Sequence, residues 1–133
     1  MPDRNARPRV LVVDDDRNLA DTLVSVLNRS SFDATAAYSG PEAIQRALIS
    51  PPDCILMDVF MEGIDGVDAA IAIRETVPAC GILLISGCED AARRLEKSRV
   101  RGHDFELQMK PIEPAWLLDR LRTGYHCGTK HAA

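Results

Sequence analysis

Short apolar runs that stop abruptly on a polar residue constrain this chain more than any other feature. Cys54-Ile55-Leu56-Met57 lies between Pro51-Pro52 and a carboxylate, Asp58, with Gly63 close behind. An unbroken apolar run bounded in this way predicts a strand buried on both faces. Arg9-Val10-Leu11-Val12-Val13 is also continuous and β-branched, and it stops at Asp14-Asp15-Asp16. Gly81-Ile82-Leu83-Leu84-Ile85 ends on Ser86-Gly87. An Asp at the end of a buried strand is placed at the rim of a sheet, where open α/β folds bind ligands. Taken alone, Asp58 reads as an ordinary strand end.

Between these runs the apolar spacing turns helical. Leu19, Leu23, Val26 and Leu27 predict a helix over residues 18–29. Phe32 to Ala37 predicts a short, weaker strand. Ser39-Gly40-Pro41-Glu42 opens a second helix, with Ser39 or Gly40 as N-cap and a proline in the first turn. Ala43, Ile44, Ala47 and Leu48 are expected on its inner face, and Pro51-Pro52 ends it. A third helix runs from Val67 to Glu75, with Val67, Ala70, Ile71 and Ile73 apolar. A fourth, over residues 90–101, has a thin apolar face of Ala91, Leu95 and Val100. Its basic face of Arg93, Arg94, Lys97 and Arg101 reads by default as solvated, with partner docking as the sharper alternative. Phe105 to Met109 alternates and suits an edge strand running into Lys110-Pro111. The last helix begins at Glu113 or Pro114 and ends at Arg122, with Trp116, Leu117, Leu118 and Leu121 inward.

Strands that alternate with helices call for a parallel sheet covered on both faces. One domain over residues 9–122 is expected, between a flexible lead-in of residues 1–8 and a flexible tail of 123–133. A net charge of -4 argues against direct nucleic-acid binding. No apolar run is long enough to span a membrane, and the charged N-terminus carries no secretion signal. The four cysteines form no CxxC pair, which argues against zinc or a redox dithiol and for a reduced, cytoplasmic protein. Cys54 and Cys80 read as small core residues. His103, His126 and His131 have no partners at catalytic spacing and read as surface residues.

All strands of a parallel sheet end on one edge, so Asp14, Asp15, Asp58, Ser86 and Lys110 converge for one topological reason. Carboxylates packed together repel, and at least one pKa is expected to rise. A divalent cation removes that penalty. A few oxygen ligands, partly exposed, suit Mg²⁺ with retained waters, and the Phe60 carbonyl is a plausible further ligand. Asp16 is expected to serve only the start of the first helix. Lys110 suits an anion beside the cation, Ser86 adds a hydroxyl, and Gly87 lets a bulky group approach. Cation, lysine and hydroxyl around one central carboxylate describe a site for placing a phosphoryl group on Asp58.

Val12-Val13-Asp14-Asp15, Leu56-Met57-Asp58 with Met61 and Asp65-Gly66, Ile85-Ser86-Gly87 and Lys110-Pro111 together resemble the receiver domain of two-component response regulators. The resemblance covers residues 8–122 and implies a flavodoxin-like doubly wound sheet of order 2-1-3-4-5. It implies Asp58 as phospho-acceptor, Asp14, Asp15 and Asp58 with the Phe60 carbonyl as Mg²⁺ ligands, Ser86 as switch hydroxyl and Lys110 as phosphate-binding lysine. The implied donor is a phosphohistidine on a histidine kinase or a histidine phosphotransfer protein. The implied output is a downstream protein target reached through the fourth helix, fifth strand and fifth helix, a face that also admits a dimer. Such a domain phosphorylates itself and is not a turnover enzyme. With no output domain after the last helix, it reads as a stand-alone receiver or one cut from a longer protein.

Departures from that pattern are specific. Glu62 stands where proline is usual, which loosens the loop. Leu107 replaces the usual aromatic switch residue; Phe105 shares its strand parity and is expected in the core, with partial substitution as the alternative. Gln108 is unusual on a covered strand. Phe60 and Cys88 occupy the positions that flank the hydrolytic water, and neither can orient it; Phe60 is expected either to shield the acyl phosphate or merely to cap apolar surface. A Mg²⁺-dependent aspartate-nucleophile phosphatase is the alternative, since Asp14 and Asp16 fit its Asp-x-Asp. That family's following Gly-Thr-like turn and added acidic motif are missing. A flavin-binding flavodoxin would need a phosphate loop after the first strand, where three aspartates repel phosphate.

Overall fold

The computed structural model describes residues 7–124. The lead-in before Arg7 and the tail beyond Gly124, with His126, Cys127 and His131, lie outside the described residues. In chain order the elements are β1 (Arg9–Val13), α1 (Arg17–Arg29), β2 (Asp33–Ala37), α2 (Gly40–Ile49), β3 (Cys54–Asp58), α3 (Gly66–Thr76), β4 (Gly81–Ser86), α4 (Ala91–Val100), β5 (Glu106–Met109) and α5 (Pro114–Gly124). The strands form one parallel sheet of order β2-β1-β3-β4-β5. This is the doubly wound arrangement that the alternating pattern calls for.

Strand periodicity builds two separate cores. Val10, Val12, Leu56, Leu83 and Ile85 face α1 and α5, where they meet Ala20, Leu23, Leu27, Leu117 and Leu121. Leu11, Val13, Ile55, Met57, Ile82 and Leu84 face α2, α3 and α4. Every residue of β3 is buried, which is why its sequence is apolar without alternation. Each such side chain contributes about 1.5–3 kcal/mol on leaving water.

Caps set where the helices begin. Asp16 accepts from Leu19 N at 3.3 Å, the local role expected of it. Ser39 caps the helix by accepting from Glu42 N at 3.2 Å, while the Glu42 carboxylate reaches back one residue further and accepts from Tyr38 N at 2.8 Å. Asp65 caps α3 through Asp68 N at 2.9 Å. The helix α4 has no side-chain cap at Asp90.

Three expectations are corrected. Leu48 is not on the inner face of α2 but 51% exposed. That helix packs through Gly40, Ala43 and Ala47, and Leu48 is rotated about 100° beyond Ala47. Small residues let the helix sit close: a Cβ on Gly40 would fall 2.2 Å from Ile64 Cγ2. Val100 is 85% exposed; the buried stripe of α4 is Ala91, Leu95 and Ser98, and Val100 lies about 200° past Ser98. His103 is not a bare surface residue. Its Nε2 is 3.1 Å from Glu75 Oε2, and its ring stacks on Phe105. Trp116 packs against the α1/α5 core but stays partly exposed, while Leu117 and Leu121 are buried.

Candidate functional site

The register aligns the strand ends. Val13 pairs with Met57, Asp58 with Ile85, and Ser86 with Met109, so the residues that follow β1, β4 and β5 gather beside the tip of β3. Asp14 leaves β1 buried, its backbone N–H donating to Ala37 O at 3.2 Å. Asp15 next to it is exposed. Asp58 is 5% exposed. Carboxylate oxygens of Asp14, Asp15 and Asp58 lie within 4.8 Å of one another. Lys110 Nζ reaches between two of them, 3.0 Å from Asp14 Oδ2 and 3.2 Å from Asp58 Oδ1. A backbone bond from Lys110 N to Ser86 O, 2.7 Å, fixes where that lysine leaves the sheet.

Three carboxylates against one ammonium leave the cluster negative. Burial, followed by the charge of Asp14, pushes the Asp58 carboxyl up to about 6, against the pull of Lys110. Burial alone would lower Lys110. The hydrogen bond to Asp14 and the charges of Asp58 and Asp14 outweigh it, and the ammonium is held above the ordinary lysine value. The expected rise of a carboxylate pKa therefore falls on Asp58, the central one. An all-oxygen donor set, short of positive charge and open on the Asp15 side, fits a hard divalent cation such as Mg²⁺.

The remaining predicted residues are placed unequally. Ser86 is buried, and its hydroxyl turns to its own loop, accepting from Cys88 N at 3.0 Å and donating to Cys88 O at 3.3 Å. Cys88 itself is exposed. Phe60 is partly buried against the α2–α4 core, with the Arg94 guanidinium 4.8 Å from its ring centroid. Phe105 is a core residue, 4% exposed, and Leu107 is partly buried beside the same core. A Cβ on Gly87 would touch only the Lys110 methylenes, at 3.8 Å.

Other residues belong to the site without having been singled out for it. A Cβ on Gly66 would fall 2.0 Å from Asp58 O, and Gly66 N donates to Val59 O at 2.7 Å. Only glycine lets α3 start against the backbone of Asp58. Glu62 N donates to Asp15 Oδ2 at 3.2 Å, tying the β3–α3 loop to the acidic cluster. Asp65 receives Arg94 from α4. The Asp65-Gly66 pair is visible in the sequence as a motif; the choice of Arg94 from a basic helix is visible only in three dimensions.

Residues 10–122 match the response regulator receiver domain family. The chain is 36% identical over 118 residues to the transcriptional regulatory protein PrrA of Mycobacterium leprae, covering 86% of this chain and 48% of that protein. It is 33% identical to the DNA-binding response regulator MtrA of Mycolicibacterium smegmatis, covering 87% and 50%. It thus spans about half the length of the curated relatives it matches. A two component transcriptional regulator AraC from Clostridium phytofermentans superposes with a TM-score of 0.73 at 33% identity, over 86% of this chain and 90% of that one. The response regulator TrrA from Thermotoga maritima, solved in complex with Mg²⁺-BeF, superposes with a TM-score of 0.75 at 25% identity, over 86% and 96%. With its fold, its acidic pocket and a family match across nearly all the described residues, this chain belongs to the response regulator receiver domain family.

Proposed function

We propose that Asp58 accepts a phosphoryl group from a phosphohistidine of a sensor kinase or phosphotransfer protein. The observation that carries this is Lys110 Nζ standing 3.0 Å from Asp14 and 3.2 Å from Asp58, at the edge of a cluster with excess negative charge. Asp58 carries the nucleophile. With its carboxyl at about 6, it is mostly ionised at neutral pH and retains more basicity than an exposed aspartate. One of its oxygens forms the new O–P bond as the donor's N–P bond breaks and the imidazole leaves. Lys110, already desolvated and oriented, pairs with a phosphoryl oxygen without rearranging. Asp14 and Asp15, with Asp58 and the Phe60 carbonyl, would hold Mg²⁺, which neutralises charge on the carboxylates and on the arriving phosphoryl oxygens. Ser86, one strand away, is the hydroxyl that would exchange its bonds to Cys88 for one to the phosphoryl group.

Signalling then passes to a downstream protein through the α4–β5–α5 face, where a second copy could also dock. Among the described residues no helix is long and apolar enough to cross a membrane, in keeping with action in the cytoplasm. The test is Mg²⁺-dependent incorporation of phosphate from acetyl phosphate, read by intact mass. One phosphoryl group on the wild type and none on Asp58→Asn is expected; label that persists in Asp58→Asn overturns the assignment. Sustained hydrolysis of a phosphate ester would instead identify an aspartate-nucleophile phosphatase.

A further inference from the structure

The helix α4 is poorly attached by apolar packing. Its buried residues are only Ala91, Leu95 and Ser98, and it starts without a side-chain cap. What it does have is two ion pairs to the first turn of α3. Arg94 binds Asp65, and Lys97 Nζ lies 3.7 Å from Asp68 Oδ1. The first of these is the better shielded, since the Asp65 side chain is 12% exposed. Asp65 also uses its other oxygen to cap α3 through Asp68 N, so the carboxylate cannot follow Arg94 without disturbing that helix start.

The same guanidinium lies over the ring of Phe60, 4.8 Å from its centroid. Phe60 and Asp65 are the two ends of the loop that follows Asp58. Between them, Glu62 N is bonded to Asp15 of the acidic cluster, and just outside them Gly66 N is bonded to Val59 O, closing the loop. A single side chain from α4 is therefore sandwiched between both ends of the loop that borders the site. The planar, permanently charged guanidinium suits both contacts at once, stacking on the ring and pairing with the carboxylate. Lysine can form the ion pair but lacks the plane.

We propose that Arg94 is a positioning residue that couples this loop to α4. Occupation of the acidic site and displacement of α4 are then one linked equilibrium. The proposal rests on Asp58 being the phosphoryl acceptor, and it supplies a route to α4 that does not need an aromatic ring at Leu107. The ring that moves with the signal is Phe60, on the loop, and the lever is Arg94. Coupling of this kind is reciprocal: holding α4 in place must also alter how tightly the site binds its cation.

The experiment uses the full chain and follows amide hydrogen exchange across residues 89–102. It is read in three states: metal-free, with Mg²⁺, and phosphorylated by acetyl phosphate to a fraction measured by mass. In the wild type, exchange in α4 changes on phosphorylation. In Arg94→Met that change falls by about fivefold at equal phosphorylated fraction, the loss expected for one partly shielded ion pair and one cation–π contact. Mg²⁺ affinity, measured by calorimetry, shifts by a similar factor. Arg94→Lys restores part of the response, and Asp65→Asn, which still caps α3, loses it as Arg94→Met does. A full response in Arg94→Met, or an α4 in the wild type that ignores phosphorylation, overturns the coupling while leaving Asp58 as acceptor. If the wild type takes no label, the acceptor reading fails and the coupling with it. Should Arg94→Met not fold, Arg94→Lys and Asp65→Asn decide the matter by the same readout.

Discussion

Asp53 and Asp58 bracket β3, and the same side chain has opposite circumstances at the two ends. Asp53 sits half-buried at the start of the strand and accepts from Arg9 N at 2.7 Å. Its backbone continues the sheet, donating to Arg9 O at 2.9 Å and accepting from Gly81 N at 3.1 Å. Every contact it makes serves the ladder between β1, β3 and β4. Asp58 is buried, faces Asp14 and Asp15, and has Lys110 as its one cationic partner among the described residues. Its carboxyl is pushed up to about 6. Residue type is thus no guide to reactivity here. The C-terminal edge of the sheet concentrates like charge around a buried carboxylate, whereas at the N-terminal edge Asp53 and Arg9 are satisfied by backbone groups.

The contrast can be broken most severely by exchanging each carboxylate for an amide. Asp58→Asn is expected to abolish Mg²⁺-dependent labelling, whereas Asp53→Asn should label like the wild type. Intact mass after acetyl phosphate treatment decides it, and a label lost in Asp53→Asn would show that both ends of β3 serve the chemistry.

Stability should separate the two ends next. The folded Asp58 carboxyl at about 6 lies above its ordinary value of 3.8, so the folded state binds this proton more tightly than the unfolded chain. Stability from that group is complete below pH 4 and is lost as pH rises through about 6, a loss of about 3 kcal/mol. Asp58→Asn escapes the loss. The variant should therefore gain on the metal-free wild type between pH 4 and 7, and saturating Mg²⁺ should close the gap. Urea denaturation at several pH values, with and without the metal, measures this; a gap that does not vary with pH refutes it.

Asp53→Ala, in contrast, removes an acceptor from a backbone N–H at the edge of the sheet. A loss of about 1 kcal/mol, unaffected by Mg²⁺, is expected from urea midpoints. A larger, metal-dependent loss would erase the distinction between the ends. The smallest effect concerns the shielding assigned to Phe60. Phe60→Asn should shorten the lifetime of phosphorylated protein by about fivefold, corresponding to ~1 kcal/mol. Decay at the wild-type rate would leave the ring as packing alone.

Much of this was legible because the strands are buried on both faces. Such strands must be continuously apolar, so β1, β3 and β4 stand out and their polar terminators stand out with them. Alternation with helices then makes the sheet parallel, and parallel strands carry Asp14, Asp58, Ser86 and Lys110 to one edge. Helix faces were harder to read. Leu48 and Val100 were expected inside and are exposed, because small residues, Gly40, Ala43 and Ala47 in one helix and Ala91 and Ser98 in the other, set the rotation. Hydrophobicity counts large side chains, while close packing rewards small ones.

The sequence by itself determined the order of the elements, the chemistry at the strand ends and the identity of the central carboxylate. Each follows from short-range pattern plus the geometry of a parallel sheet. Tertiary structure alone decided the rest. It turned the Ser86 hydroxyl toward Cys88, raised Asp58 among its neighbours, and made Gly66 indispensable by bringing α3 onto the Asp58 carbonyl. It also selected Arg94 from a helix of several cations and set it between Asp65 and Phe60. Contacts between residues far apart in the chain depend on helix rotation and on distances of an ångström or two, and no local pattern encodes those.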